Sequence, residues 1–200
     1  MSERLILDKS FRHMEANMYE LLILGILRTR DMSAYKLGRV LGGNLVPRRE
    51  ISNGVFYPLL NRLADQGYIE INEAQADPRK KKMTRITQKG MTRFQELMAV
   101  PVSMDAKRES MYRFKFRGMD GVDEAEQYKI LEDYENANQT DLNIYQSVQD
   151  HLKQKLQAPD DDRVEALQWG VRALGLSIAI CETKQKWIEE CRTQIGQEKE

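Results

Sequence analysis

Apolar residues recur with helical spacing along most of the chain, and one stretch near its middle has the spacing of strands instead. Met18, Leu21, Leu22, Leu24, Ile26 and Leu27 predict a strongly apolar first helix, ended by the charged run from Arg28 to Asp31. Ser33 is placed to cap a second helix through Tyr35, Leu37, Val40 and Leu41, which Gly42 and Gly43 should stop. In a third helix, residues 53 to 66, Phe56, Leu59, Leu60 and Leu63 stand at i, i+3, i+4 and i+7 and make one stripe, with Ser52 as N-cap and Gly67 at C′. Its opposite face carries Gly54, Pro58, Asn61, Arg62 and Asp65, with Asn53 and Tyr57 on the flank. A proline inside a helix removes one hydrogen bond and typically costs about 3 kcal/mol; Pro58 lies near the start, and Gly54 at i−4 leaves room for its ring. Tyr68, Ile69 and Ile71, then Met83, Thr84, Arg85 and Ile86, predict a two-stranded hairpin that turns at Asp77 and Pro78. Thr87 then caps a helix through Met91, Phe94, Leu97 and Met98.

Beyond residue 100 the pattern is helical throughout. A long helix from Glu124 to Leu156 carries Tyr128, Leu131, Leu142, Tyr145, Val148, Leu152 and Leu156. In the last helix Val164, Leu167, Val171, Leu174, Ile178, Cys181, Ile188 and Ile195 follow alternating three- and four-residue steps, broken by Gln185 and Arg192. A second stripe runs through Trp169, Ala173, Leu176, Ile180, Lys184, Trp187 and Cys191. A helix with two apolar faces needs two neighbours: the preceding helix supplies one, and its counterpart in a second subunit is expected to supply the other. The alternative is a monomeric helical hairpin covered by the N-terminal arm, residues 1 to 17, which carries Leu5, Ile6, Leu7, Phe11 and Met14.

Three helices followed by a hairpin is the order of a winged helix-turn-helix, with residues 53 to 66 in the recognition position. The expected fold is mainly α: an arm (1–17), a winged helix-turn-helix domain with a two-stranded β wing (18–100) and an antiparallel helical dimerisation domain (101–200). Charge agrees with this division. The whole chain balances 31 basic against 31 acidic residues, but residues 1–99 hold 17 basic and 11 acidic, a net +6, and the remainder a net −6. The basic part is the one with the winged-helix pattern, as expected of a domain that meets phosphate.

A family resemblance rests on particular residues. The LLILGIL helix, SAYKLGRVL, then Gly54, Val55, Phe56, Tyr57, Pro58, Leu60, Arg62, Leu63 and Gly67, and finally Pro78, Arg79, Lys80 and Lys81 with Thr84, Thr87, Lys89 and Gly90, together resemble the PadR family of transcriptional regulators over about residues 18 to 98. More weakly, the remainder is similar to the long members, whose C-terminal half is a helical dimerisation domain of the virulence-activator type. The resemblance implies a homodimeric, ligand-responsive repressor. Some members control phenolic acid decarboxylase genes and are released by hydroxycinnamic acids, which implies a small aromatic effector in a cleft that Tyr112, Phe114, Phe116 and Trp169 would line. The arm is a departure from many relatives.

Candidate contacts to double-stranded DNA divide by chemistry. Asn53, Tyr57, Asn61 and Arg62 offer amides, a phenol and a guanidinium for base edges, while Arg79, Lys80, Lys81 and Lys82 suit phosphates, aided by Lys36 and Arg39 on the second helix. Tyr57 has two equal readings, a DNA contact or a seal on the core beneath. The seam Val164, Leu167, Val171, Leu174, Ile178, Cys181 and Ile188 is the expected dimer contact. Other chemistry finds little support. His13 and His151 are far apart and no pair has zinc spacing, so no metal or cofactor is expected. No nucleophile elbow, P-loop or dinucleotide fingerprint occurs, so the chain reads as a non-enzyme. Asp160, Asp161 and Asp162 fit the N-terminus of the last helix. No uninterrupted apolar run reaches the roughly 18 residues of a membrane span, and the charged N-terminus is unlike a signal peptide, so a cytoplasmic protein with reduced Cys181 and Cys191 is expected. The rival reading is a winged helix for protein or RNA contact.

Overall fold

The structure is a computed structural model that describes residues 18–46, 48, 50–73, 82–157 and 163–197. The N-terminal arm, Arg79 to Lys81 of the basic run and the acidic triplet Asp160 to Asp162 lie outside the described residues. The chain divides into two compact units, Met1–Asp123 and Glu124–Glu200. The first therefore extends beyond the boundary expected at residue 100.

The first described element of this unit is α1, residues 18–29, whose Leu21, Leu22, Ile23, Leu24 and Leu27 are all buried. Met32–Ser33 form a short strand, β1, and Ser33 then caps α2, Ala34–Asn44, by accepting from the Lys36 amide at 3.3 Å. Helix α2 runs through both Gly42 and Gly43 rather than stopping there, because Leu41 and Gly42 are buried and packing outweighs the local weakness of a glycine pair. Helix α3, Asn53–Asp65, buries Phe56, Leu60 and Leu63 as the stripe predicts. It ends in a Schellman turn: Gly67 takes φ +73°, its amide donates to Ala64 O at 2.9 Å and the Tyr68 amide to Leu63 O at 2.9 Å.

Strands β2, Ile69–Glu73, and β3, Lys82–Ile86, pair antiparallel with Ile69 opposite Ile86 and Ile71 opposite Thr84. β1 adds to the other edge of β3, Met32 opposite Thr84, so the sheet has three strands in the order β1-β3-β2. Two residues are too few for any periodicity, which is why the sequence pattern predicts only the hairpin. Thr87 ties the sheet to α4, Gln88–Ala99: its hydroxyl accepts from the Gly90 amide at 3.0 Å and donates to Gly67 O at 2.7 Å. Helix α5, Arg108–Arg117, and a 3-10 turn, Met119–Gly121, complete the unit. Buried Lys115 donates to the carbonyls of Met98 and Val100 at 2.5 and 2.6 Å, satisfying the end of α4, and Arg28 pairs with Asp120.

The second unit is a hairpin of two long helices, α6, Glu124–Lys155, and α7, Val164–Gln197. Its contacts descend on α7 as they rise on α6: Glu135 with Arg192 at 2.6 Å, Asn138 Nδ2 to Cys181 O at 2.9 Å, Gln149 Nε2 to Val171 O at 3.0 Å. The helices are antiparallel, as expected. Both cysteines are free.

Candidate nucleic-acid interface

Helix α3 turns its apolar stripe inward and leaves Asn53, Gly54, Val55, Tyr57, Pro58 and Asn61 exposed. Tyr57, for which the sequence allows two readings, is 43% exposed while meeting buried Phe56 edge-on at 5.2 Å, so its ring rests on the core and still presents area outward. The N-terminus of α3 is electrostatically open. Ser52 makes no side-chain cap, no acidic residue occupies the first turn, and a Cβ built on Gly54 would meet nothing within 4 Å. Leading amides favour an anion, and Glu50, just before the helix, is the one carboxylate among the residues lining the adjoining cleft. Pro58 lacks the amide that would bond the Gly54 carbonyl, which leaves that carbonyl to accept from outside the helix.

An open cleft of about 770 Å³ lies between α2 and the start of α3. Three residues expected at DNA, Arg39, Asn53 and Tyr57, line it together with Tyr35 and Arg48. Lys36, on the same helix as Arg39, is exposed, and so is Lys82 at the start of β3. The apolar stripe of α2 includes Tyr35, yet this residue is 70% exposed. Leu37, Leu41 and Gly42 are the buried residues of that helix, and the pattern of an 11-residue helix is too short to distinguish which flank of the stripe is buried. Tyr35, Arg48 and Val55 are the surface residues that sequence reasoning missed. Arg48 lies in a segment with no periodic signal, and Val55 stands beside the apolar stripe of the third helix without belonging to it.

Arg62 behaves differently from the other residues of the α3 face. Its Nη2 lies 3.4 Å from Glu20 Oε2, and Glu20 is buried in α1. Arg93 of α4 reaches the other oxygen of Glu20 through Nε at 2.7 Å and Glu96 through Nη1 at 3.1 Å. Burial alone would lower the pKa of Arg93, but the bonds to Glu20 and Glu96 outweigh it and hold the guanidinium above its ordinary range. On the central strand β3, Arg85 bonds Asp31 at 2.7 Å, which raises its pKa as well.

These elements, a polar-faced third helix beside a cleft lined by Arg39, Arg48 and Glu50 and a β-hairpin whose second strand starts at Lys82, coincide with a known sequence family: residues 23–96 match the transcriptional regulator PadR-like family. The PadR-like match runs from within α1 to within α4 and includes every described DNA candidate. Solved PadR structures are similar at low identity. Bacillus subtilis PadR in complex with operator DNA is 18% identical, with 88% of this chain and 97% of that chain covered and a TM-score of 0.39. The same Bacillus subtilis regulator in complex with p-coumaric acid is 20% identical, with 86% and 99% covered and a TM-score of 0.39. A PadR-like regulator from Bacillus cereus is 22% identical, with 88% and 98% covered and a TM-score of 0.35. No curated protein matches the chain at the sequence level.

The remaining expected sites are distributed over both units. In the first, Tyr112 and Phe114 are buried, and Phe116 stacks on Tyr112 at 6.1 Å. In the second, Trp169 is 62% exposed with Arg172 over its ring at 4.9 Å. Of the seam assigned to dimerisation, Cys181 and Ile188 are buried within the hairpin, Leu167, Val171, Leu174 and Ile178 are half-buried and Val164 is exposed. The second stripe is the uncovered one: Trp169, Leu176 and Ile180 stand well out of the surface. By length and mean hydropathy, 1.3, Val164–Ile195 also meets the measure of a membrane-crossing helix. Glu165 and Arg172 interrupt that apolar run, and the uncovered residues keep the three- and four-residue steps of a single helix face. Among the described residues no cluster of His, Cys, Asp and Glu is placed to hold a metal ion.

Proposed function

We propose that the protein is a cytoplasmic, homodimeric repressor that reads a palindromic operator through α3. The observation that carries this reading is the convergence of Arg39, Asn53 and Tyr57 on one cleft at the uncapped start of α3 in the basic part of the chain. Asn53, Tyr57 and Asn61 meet base edges, with Val55 offering a methyl contact to thymine; Lys36, Arg39 and Lys82 meet phosphates, continued by Arg79, Lys80 and Lys81. The dimer forms through the second face of α7, around Trp169, Leu176 and Ile180, because the face carrying Cys181 and Ile188 is already occupied within the hairpin. Two copies then set their α3 helices about 34 Å apart, one helical turn of DNA.

Footprinting on the DNA upstream of the gene tests this reading. The expected result is a protected inverted repeat whose half-sites are one turn apart, and affinity that falls steeply with salt. A winged helix used for protein or RNA contact protects no such repeat. The input that the family resemblance suggests is a small aromatic acid, bound near the Tyr112 and Phe116 pair, which releases DNA by favouring a dimer of different half-site spacing. Titration with p-coumaric acid, read by tryptophan fluorescence and by loss of the gel shift, is the corresponding measurement; a compound that leaves both unchanged is not the effector.

A further inference from the structure

We propose that Glu20 is a positioning residue for DNA recognition and that Arg62 is its strut to α3 rather than a reader of bases. This rests on the reading that α3 enters the DNA groove. Glu20 is 4% exposed in a helix whose neighbouring Leu21, Leu22 and Ile23 are buried apolar residues. A carboxylate in such a place has too little water to satisfy it and depends on the cations brought to it. Both oxygens are used: Oε1 accepts from Arg93 Nε at 2.7 Å and Oε2 from Arg62 Nη2 at 3.4 Å. Three helices, α1, α3 and α4, therefore meet on one carboxylate.

The two cations are not equivalent. Arg93 is held from a second side by Glu96 at 3.1 Å, so α1 and α4 form the fixed end of the network. Arg62 comes from the helix whose outer face is otherwise uncommitted, and its Nε is shut off from water with no hydrogen-bond partner among the described residues. Its Nε and Nη2 thus face the core and Glu20 while 40% of the side chain stays exposed, and Asn53, Tyr57 and Asn61 of the same helix are exposed. To reach a guanine, Arg62 would have to abandon a buried carboxylate and leave one oxygen unpaired, which opposes base reading. Held in place, it sets the pitch of α3 and so the depth to which Asn53, Tyr57 and Asn61 enter the groove.

The experiment selects preferred duplexes from a randomised pool with the full chain, then measures affinity for the selected duplex and for an unrelated one across salt. Glu20→Gln and Arg62→Met are each expected to keep the parent's base preference at every position. Each lowers affinity for the selected duplex about tenfold, as loss of one charge-assisted hydrogen bond does, and leaves affinity for the unrelated duplex and the salt slope unchanged. The double variant adds little to either single one. Loss of preference at one base pair in Arg62→Met, or a salt slope smaller by about one, puts Arg62 on DNA and overturns the proposal. An equal fall for both duplexes means that the network only stabilises the fold, and overturns it too. Should Glu20→Gln fail to fold, Arg62→Lys, which keeps the charge but lacks the planar fork, is read in the same way with the same outcomes. Asn53→Ala, Tyr57→Ala and Asn61→Ala are measured alongside. If none of them alters base preference, the placement of α3 on DNA fails; if they do and Arg62→Met does as well, only the strut fails.

Discussion

Gly90 shows how closely one residue constrains the first unit. A Cβ there would stand 2.0 Å from the Tyr68 carbonyl oxygen and 2.8 Å from Ile86 Cγ1, so the start of α4 can lie against the entry to β2 and the end of β3 only if this position has no side chain. Gly90→Ala should therefore destabilise the protein by about 1–3 kcal/mol, the usual cost of forced overpacking, seen as a lower midpoint in urea unfolding. Thr87, three residues earlier, joins the same corner through its hydroxyl, and Thr87→Ala should cost roughly 1 kcal/mol as the loss of an N-cap. Its cap is legible in the sequence, because Thr before a helical stripe is a local signal. The ion network of Arg62 is not. Nothing at residue 62 announces a partner 42 positions away, and the helical wheel places the side chain on the outer face, where its chemistry suits DNA equally well.

At the scale of elements, α7 carries the same lesson in a stronger form. Its two stripes are visible as spacing, but spacing alone does not say which of them the hairpin uses. The Asn138 to Cys181 bond and the burial of Ile188 give α6 the first stripe and leave Trp169, Leu176 and Ile180 uncovered, the face proposed above to meet a second copy. Two substitutions separate these roles. Ile188→Ala should cost about 2–5 kcal/mol by opening a cavity in the hairpin, whereas Leu176→Glu with Ile180→Lys should leave secondary structure unchanged and weaken self-association in sedimentation equilibrium. Sedimentation as a dimer of unaltered affinity would remove the proposed interface. Strand β1 makes the converse point: its two residues carry no pattern, and it exists because β3 offers an edge to Met32 and Ser33.

For the whole molecule, the division of charge is the property that bears on DNA. A basic first part and an acidic second part, +6 against −6, concentrate positive charge in the part with the winged helix even though the total is zero. Neutralising Lys36, Arg39 and Lys82 should lower affinity for all duplexes alike and reduce the salt slope by about one for each phosphate that is no longer neutralised; an unchanged slope in a gel-shift salt series would remove those residues from the interface. The sequence alone determined the helical stripes, the caps at Ser33 and Thr87, the Gly67 turn, the hairpin and the charge division, since each depends on residues close together in the chain or on a simple count. Only the tertiary structure decided the pairing of Arg62 with Glu20, the exposure of Tyr35, the third strand and the uncovered face of α7. Those are set by which distant surfaces meet, and burial of apolar area, which governs that choice, is a property of the packed chain.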